Sequence, residues 1–420
     1  MSGQKHAAVL PTEGRPWEEI RRSLLDAKRC DYNWREGRLP LYVYYNDEAL
    51  LKVSREAFNL YFSENALGRK AFPSLVQLEA DIVSMALRLF NAGDEAGGTF
   101  TSGGTESQLL AVKAARNRAL TERPELARPS IVVPRSCHPS IDKAAHYLGL
   151  EVRRVPISDA FRADPAAIAE AIDDSTIMLV ASAPGYTHGV FDPVAEFGAI
   201  AEARGLWLHV DACLGGFLAP FARMEGYPIP DFDFSVPGVT SLAADIHKYG
   251  FSAKGASVLL LRSETLRRFQ QFEHRDWPRG VYATDTFLGS RPGGPAASAW
   301  AVMNYLGEAG YRRIARRIMS AKQGLMGGIE SIPGLEVIRP SELSMLLYRS
   351  RDAALDTNAL AEGMGARGWF MGRSLEPEAI HFAINPVHAP VIDRYLADLR
   401  AVSLEVRESG RVGALDKSTY

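Results

Sequence analysis

Lys248 is an amine placed to condense with an aldehyde. It stands in Ser241-Leu-Ala-Ala-Asp-Ile-His-Lys-Tyr-Gly-Phe-Ser-Ala-Lys254-Gly255, after a short apolar run and beside His247. Taken alone, a lysine is most often a solvated surface charge. Forming a Schiff base requires loss of its proton, and partial burial near cationic groups is expected to lower its pKa to that end. Asp211 closes the apolar run Leu206-Trp-Leu-His-Val210, 37 positions earlier. A carboxylate there is costly to bury unpaired. Two readings are open: a helix N-cap, or a salt bridge to a cationic ring nitrogen. Further upstream, Thr101-Ser-Gly-Gly-Thr-Glu-Ser107 sets closely spaced backbone N–H groups and hydroxyls at a helix start, which makes an anion cradle. A Gly-Gly turn by itself is ordinary loop chemistry. In register before Asp211 and Lys248, it completes what pyridoxal phosphate needs: a lysine for the aldehyde, an acid for the pyridine nitrogen and a helix N-terminus for the phosphate. Gly104, Thr105 and Ser107 are the expected phosphate contacts. His138, opening the helix Pro139–Leu148, is either a flat ring that stacks on the pyridine or a capping residue. His188 and His209 are equally open between structural and cofactor roles.

These residues need a scaffold, and the sequence patterning supplies one. Helical periodicity runs through Ser74–Phe90, Thr105–Ala119, Ser140–Leu148, Pro165–Ile172 and Val194–Arg204. Between and after these helices lie short apolar strands at Ile131–Val133, Val152–Val155, Ile177–Ala181, Leu206–Val210, Ser241–Ala244 and Ala256–Leu261. Strands alternating with helices imply an α/β fold with a mostly parallel sheet, and ligands bind at the carboxyl ends of such strands. Asp211 and the His247–Lys248 pair fall at such ends. Residues 1–58 read as an N-terminal arm, with an amphipathic helix at Trp17–Arg29 and an extended Leu39–Tyr45. Residues 59–295 read as the large domain and 296–420 as a small C-terminal α+β domain. A long helix, Ala296–Ser331, follows Pro292-Gly-Gly-Pro295, and a loose tail is expected after about 408.

The 420 residues are 46% hydrophobic and 23% charged, ordinary for a globular enzyme, with a formal net charge of -2. That balance offers no basic surface for nucleic acid. The N-terminus has no apolar signal-peptide core, and no stretch reaches a membrane span. Three separated cysteines, Cys30, Cys137 and Cys213, form neither a metal spacing nor a disulfide framework, which suggests the cytoplasm.

Together these segments resemble the sphingosine-1-phosphate lyases, within the wider pyridoxal-phosphate-dependent group II decarboxylases, over about residues 38–402. The most specific stretches are Thr101–Ser107, Leu208–Phe217, His247–Gly250 and Lys254-Gly255. Asp276-Trp277, Val281–Ala283, Gly289–Gly294, Trp369 and Ile380–Phe382 add to them. The resemblance implies fold type I (aspartate-aminotransferase-like) and a homodimer with shared active sites. It assigns the Schiff base to Lys248, the ring nitrogen to Asp211 and the stacking ring to His138. Gly104, Thr105 and His247 would hold the cofactor phosphate, with Gly289 and Ser290 reaching across the dimer interface. Tyr44, Asn65 and Lys254 would handle the substrate.

The implied reaction is retro-aldol cleavage of a phosphorylated 2-amino-3-hydroxy compound to an aldehyde and phosphoethanolamine. The catalytic base is open between Lys248 and a nearby histidine. One substrate loop departs from the family: Gly68 replaces its histidine, with Arg69 and Lys70 following. Either cation could bind an anion, and a changed substrate is equally consistent. An amino-acid decarboxylase on the same scaffold is therefore the alternative. A chain kept only as a binding partner would be expected to have lost Lys248, Asp211 or the phosphate loop.

Overall fold

The structure is a computed structural model and describes residues 8–414. Its centre is a seven-stranded sheet made of β1 (Gly97–Thr101), β2 (Ser130–Pro134), β3 (Glu151–Val155), β4 (Thr176–Ser182), β5 (Trp207–Asp211), β6 (Val239–Ala244) and β7 (Ser257–Leu261). The spatial order is β1-β7-β6-β5-β4-β2-β3. β7 runs antiparallel to both β1 and β6, and every other pairing is parallel. β2, β4, β5 and β7 are buried along their whole length, as continuous apolar runs covered on both faces must be. The register aligns Ser182 with Asp211 and Asp211 with Ala243, so one carboxyl edge carries the ends of β4, β5 and β6.

The helices in chain order are α1 (Trp17–Ala27), α2 (Glu48–Leu60), α3 (Pro73–Leu89), α4 (Gly104–Glu122), α5 (Ser140–Leu148), α6 (Pro165–Glu170), α7 (Val194–Arg204) and α8 (Ala219–Met224). They continue with α9 (Arg267–Gln270), α10 (Gly294–Glu330), α11 (Thr357–Ala366) and α12 (Ile392–Ser409). α4 buries Leu110, Ala111, Val112, Ala114 and Ala115 against the sheet, and its small side chains let it lie close. α5 and α7 stop at Gly149 and Gly205, both in the left-handed region.

The hairpin β8 (Phe272–His274) and β9 (Tyr282–Thr284) leads into the break before α10. A second, antiparallel sheet has the order β10 (Leu335–Ile338), β11 (Met345–Ser350), β13 (Glu378–Ala383), β12 (Gly372–Leu375). The expected small α+β region is this sheet with α11 and α12. The boundary expected at residue 58 falls inside α2, which packs against α10. The arm also runs along the second sheet: Phe370 N–H donates to Arg38 O at 2.9 Å, and Ala383 N–H to Pro40 O at 3.2 Å. The expected loose tail is tied down as far as it is described. Gly413 N–H reaches Asp356 and Ala414 N–H reaches Glu362. Its last residues, 415–420, lie outside the described residues, as do residues 1–7.

Candidate active site

The turn from β1 into α4 is built around two glycines. Gly103 has φ +151°, a backbone few side chains tolerate. A Cβ on Gly104 would lie 2.8 Å from Cys213 Sγ and 3.1 Å from both Asp245 oxygens, so only glycine fits. In the first turn of α4, Glu106 accepts Ser102 N–H at 2.6 Å through one oxygen and Phe287 N–H at 2.7 Å through the other. The orphan N–H groups at this helix start face an open volume rather than protein. That volume is a cavity of about 830 Å³, lined by Gly103, Gly104, Thr105, His138, Tyr186, Asp211, Asp245, His247 and Lys248 among others.

Six of the expected residues therefore meet at one place: Lys248, Asp211, His138, Gly104, Thr105 and His247. At the end of β5, one Asp211 oxygen accepts Cys213 N–H at 3.0 Å. That bond caps a turn and not a helix, since the next helix, α8, begins at Ala219, and Asp211 also lines the cavity. His138 likewise makes a local bond and lines the cavity. Its Nδ1 accepts Ser140 N–H at 3.2 Å in the first turn of α5 and lies 2.9 Å from Ser140 Oγ. With Nδ1 an acceptor, the proton of the neutral ring sits on Nε2. Burial lowers the His138 pKa, so the ring stays flat and uncharged near neutral pH. His247 is held by Ala256 N–H on Nδ1, and burial depresses it to about 4.

Lys248 departs from its expected state. Burial lowers its pKa, but nearby groups led by Asp245 outweigh burial and raise it above the ordinary lysine value. Asp245 Oδ2 lies 3.0 Å from Lys248 Nζ. Cationic neighbours do not control this amine; an anion does. Asp245 was missed as a site residue, although the sequence places it one helical turn before Lys248.

Other expectations are redistributed. Ser107 is fully buried beneath the loop, 2.6 Å from Thr101 Oγ1 and 3.3 Å from Ser257 Oγ, and does not face the cavity. His209 is buried in the sheet with Nδ1 2.7 Å from Ser241 Oγ, and His188 stacks on Phe161 while bonding Glu376 O. Both are structural. Lys254 Nζ donates to His247 O at 3.0 Å and lies 4.9 Å from the Tyr44 ring centroid. Tyr44 packs edge-on against Tyr249. Lys254 is exposed as a residue, but its amine is enclosed. Burial and then Lys248 draw it down to about 8.

Asn65, Gly289 and Ser290 form a separate group outside this cavity. Asn65 Nδ2 donates to Ser290 Oγ at 3.1 Å, and Gly289 borders a second cavity of about 370 Å³ together with Arg69. Gly68 sits in a tight turn, its N–H on Asn65 O at 2.9 Å.

The cavity fits pyridoxal phosphate. It offers an amine, a carboxylate at the end of the neighbouring strand β5, an imidazole and a helix N-terminus for a phosphate. Two buried acceptors at its wall, Gln108 Oε1 and Asp245 Oδ1, have no hydrogen-bond partner among the described residues. Such unpaired groups call for a donor from a bound group.

Comparison with known proteins agrees with this chemistry. The family model "Pyridoxal-dependent decarboxylase conserved domain" matches residues 57–350. Sphingosine-1-phosphate lyase of Oryza sativa subsp. japonica is 38% identical over 93% of this chain and 73% of its own length. The Mus musculus enzyme is 39% identical over 94% of this chain and 69% of its own. A probable L-tyrosine/L-aspartate decarboxylase of Methanocella arvoryzae is 34% identical over 92% of this chain and 98% of its own. The solved sphingosine-1-phosphate lyase of Burkholderia pseudomallei K96243 superimposes with a TM-score of 0.90 at 36% identity, covering 96% of this chain and 94% of that one. Glutamate decarboxylase of Lactobacillus brevis, at 20% identity and a TM-score of 0.85, shares the fold. The chain is a pyridoxal-phosphate-dependent lyase and belongs to the pyridoxal-dependent decarboxylase family, among its sphingosine-1-phosphate lyases.

Proposed function

We propose that this chain cleaves the C2–C3 bond of a phosphorylated 2-amino-3-hydroxy compound of the sphingoid-base type, releasing a long-chain aldehyde and phosphoethanolamine. The observation that carries this reading is the convergence of Lys248, Asp211, His138 and the Gly103–Thr105 turn on one cavity, in a chain that matches sphingosine-1-phosphate lyases along nearly its whole length. Bound pyridoxal phosphate supplies the electron sink for the pair released when the bond breaks. Asp211 holds a proton at the ring nitrogen. His138 would stack on the ring, and Gly104, Thr105 and His247 would hold the phosphate. Lys248 would be the amine that holds the cofactor's aldehyde. Tyr44 and Lys254, at the rim beside His247, orient the substrate and its anionic end.

The reading includes a homodimer. Asn65, Gly289 and Ser290 stand away from the cavity of their own protomer, next to the exposed apolar side chains Phe272, Trp277, Val281, Phe287 and Leu288. In a dimer, Gly289 and Ser290 would complete the site of the neighbouring copy and the apolar patch would be covered. The three-part division at residues 58 and 295 belongs to the same proposal. So does a cytoplasmic location, supported by three free cysteines. Among the described residues, no helix is long and apolar enough to cross a membrane.

The test is a product assay on the purified protein supplied with pyridoxal phosphate. A phosphorylated sphingoid base should yield aldehyde and phosphoethanolamine, and its dephosphorylated counterpart should yield far less. Carbon dioxide released from amino acids, with no aldehyde from the sphingoid base, would replace this reading with the decarboxylase one. Equal cleavage of both bases would leave the lyase standing but remove the phosphate from recognition.

A further inference from the structure

Asp245 is 2% exposed and belongs to no regular element. It follows β6 directly, three residues before Lys248, so the turn brings its carboxylate back onto the lysine amine. Oδ2 lies 3.0 Å from Lys248 Nζ and 3.5 Å from His247 Nε2. Oδ1 is buried without a hydrogen-bond partner among the described residues. Gly104 lies against both oxygens, where a Cβ would come within 3.1 Å of each. A carboxylate so enclosed is held only at a high desolvation cost unless a cation answers it. Its neighbours give it one principal cation. His247 is depressed to about 4 and is neutral near pH 7, which leaves Lys248. Around Lys248 stand Asp211 and Cys213 at the end of β5, Tyr44 from the arm, and Lys254 beyond His247. Asp245 lies within ion-pair distance of the amine and is the strongest of these charges acting on it.

We propose that Asp245 is a positioning residue that acts through Lys248: it pins the lysine amine against the cavity wall and keeps that nitrogen protonated. The inference rests on the proposed role of Lys248 and extends it. Asp211 and Asp245 divide the electrostatic work, one serving the far end of the cofactor and the other serving the lysine. If a substrate ammonium group took the place of Lys248, the proton it gives up would pass to the freed lysine, which Asp245 would hold as an ammonium. In that state it is an acid and not a base. It can give its N–H proton to the electron pair left on the substrate's C2, forming a C–H bond and becoming a neutral amine while Asp245 stays ionised. Removal of the C3 hydroxyl proton then falls to another group.

The experiment compares wild type, Asp245→Asn and the conservative Asp245→Glu, all loaded with pyridoxal phosphate. The visible absorbance of the lysine-bound cofactor is titrated against pH. Asp245→Asn should lose the yellow, protonated form at a pH lower by about one unit or more, with Asp245→Glu restoring part of the shift. A titration of Asp245→Asn that overlays wild type, in a protein that is folded and coloured, overturns the proposal. A second measurement needs no variant at position 245. In cofactor-free protein carrying ¹³C-methylated lysines, the resonance that disappears in Lys248→Ala should titrate above the bulk of the lysines. If it titrates with them or below them, the proposal fails. Wild type that never colours would refute the cofactor role of Lys248, and the methyl titration would then still decide the pairing with Asp245.

Discussion

At the carboxyl edge of the large sheet the protein buries two carboxylates beside a lysine amine, whereas in the second sheet it buries a cluster of neutral rings. Asp211 and Asp245 are 8% and 2% exposed, and both line the cavity that Lys248 enters. Around β11 and β13 the buried polar side chains include His381, His388, Tyr348 and Tyr395. His381 bonds Tyr186 O at 3.0 Å, and His388 Nδ1 accepts Asn385 N–H at 2.9 Å. The hydroxyls of Tyr348 and Tyr395 bond each other. Burial holds both histidines at about 4, so these two rings are neutral near pH 7. Neutral groups with partners cost little to bury, while buried ions cost several kcal/mol each before pairing. The carboxylates at the cavity therefore cost stability at the place where chemistry is done.

The largest break in that comparison comes from removing an ion at the edge. Asp211→Ala should leave the protein folded and able to take up cofactor weakly, with turnover down by about 10³-fold or more, because the proton at the ring nitrogen is no longer held. Lys248→Ala should abolish both turnover and the visible absorbance. Absorbance that persists in Lys248→Ala would move the Schiff base to another lysine, Lys254 first.

The second region should fail by pH instead of by mutation. An unfolded histidine titrates near 6.5, while folded His381 and His388 take a proton only at about 4. Between these values the unfolded chain binds more protons, so stability falls as pH drops. The contribution is fully present above about 6.5 and is lost progressively toward 4, at up to about 3 kcal/mol for each histidine. Thermal melting followed from pH 7 to 4.5 should show a falling Tm. A flat profile would mean that these rings are already charged, or already hydrated, in the fold.

Much of this division was legible in the sequence, and the exceptions share a cause. The end of β5, the Gly103–Gly104 turn and the position of Lys248 followed from apolar runs that stop at polar residues. The antiparallel sense of β7 did not, because the segment joining it to β6 is the site itself and looks like a crossover. α2 lay unrecognised within the arm, although Asp47 caps it by accepting Leu50 N–H at 2.8 Å and gave a local signal. Ser107 was placed correctly on α4 but on the wrong face, since one step around a helix separates a cavity from a core. Asp245 and Glu106 were overlooked for a different reason. Asp245 has its partner Lys248 only three residues on, and Glu106 has Ser102 four residues back, but neither spacing shows that the carboxylate is buried; only Phe287, the second partner of Glu106, is brought in by the tertiary fold.

Glu106 gives the finest test, because it is an ion at the edge that touches backbone alone. Its two oxygens tie Ser102, in the phosphate turn, to Phe287, in the segment that leads to Gly289 and Ser290. It is 8% exposed, and as an acid in the first turn of α4 it also suits the helix dipole. Glu106→Gln keeps the shape and turns one acceptor into a donor, which must then face an N–H group. One buried N–H is left unpaired, at about 1–3 kcal/mol. The expected result is cofactor binding weakened by roughly tenfold or more on that basis, read by titrating the visible absorbance, with turnover at saturating cofactor changed far less. Because the same side chain holds Phe287, self-association measured by sedimentation should weaken with it. If turnover at saturation falls as far as in Asp211→Ala, Glu106 belongs with the groups that serve the reaction. If cofactor affinity falls while self-association holds, the carboxylate supports the phosphate turn alone and the link to Gly289 and Ser290 is broken.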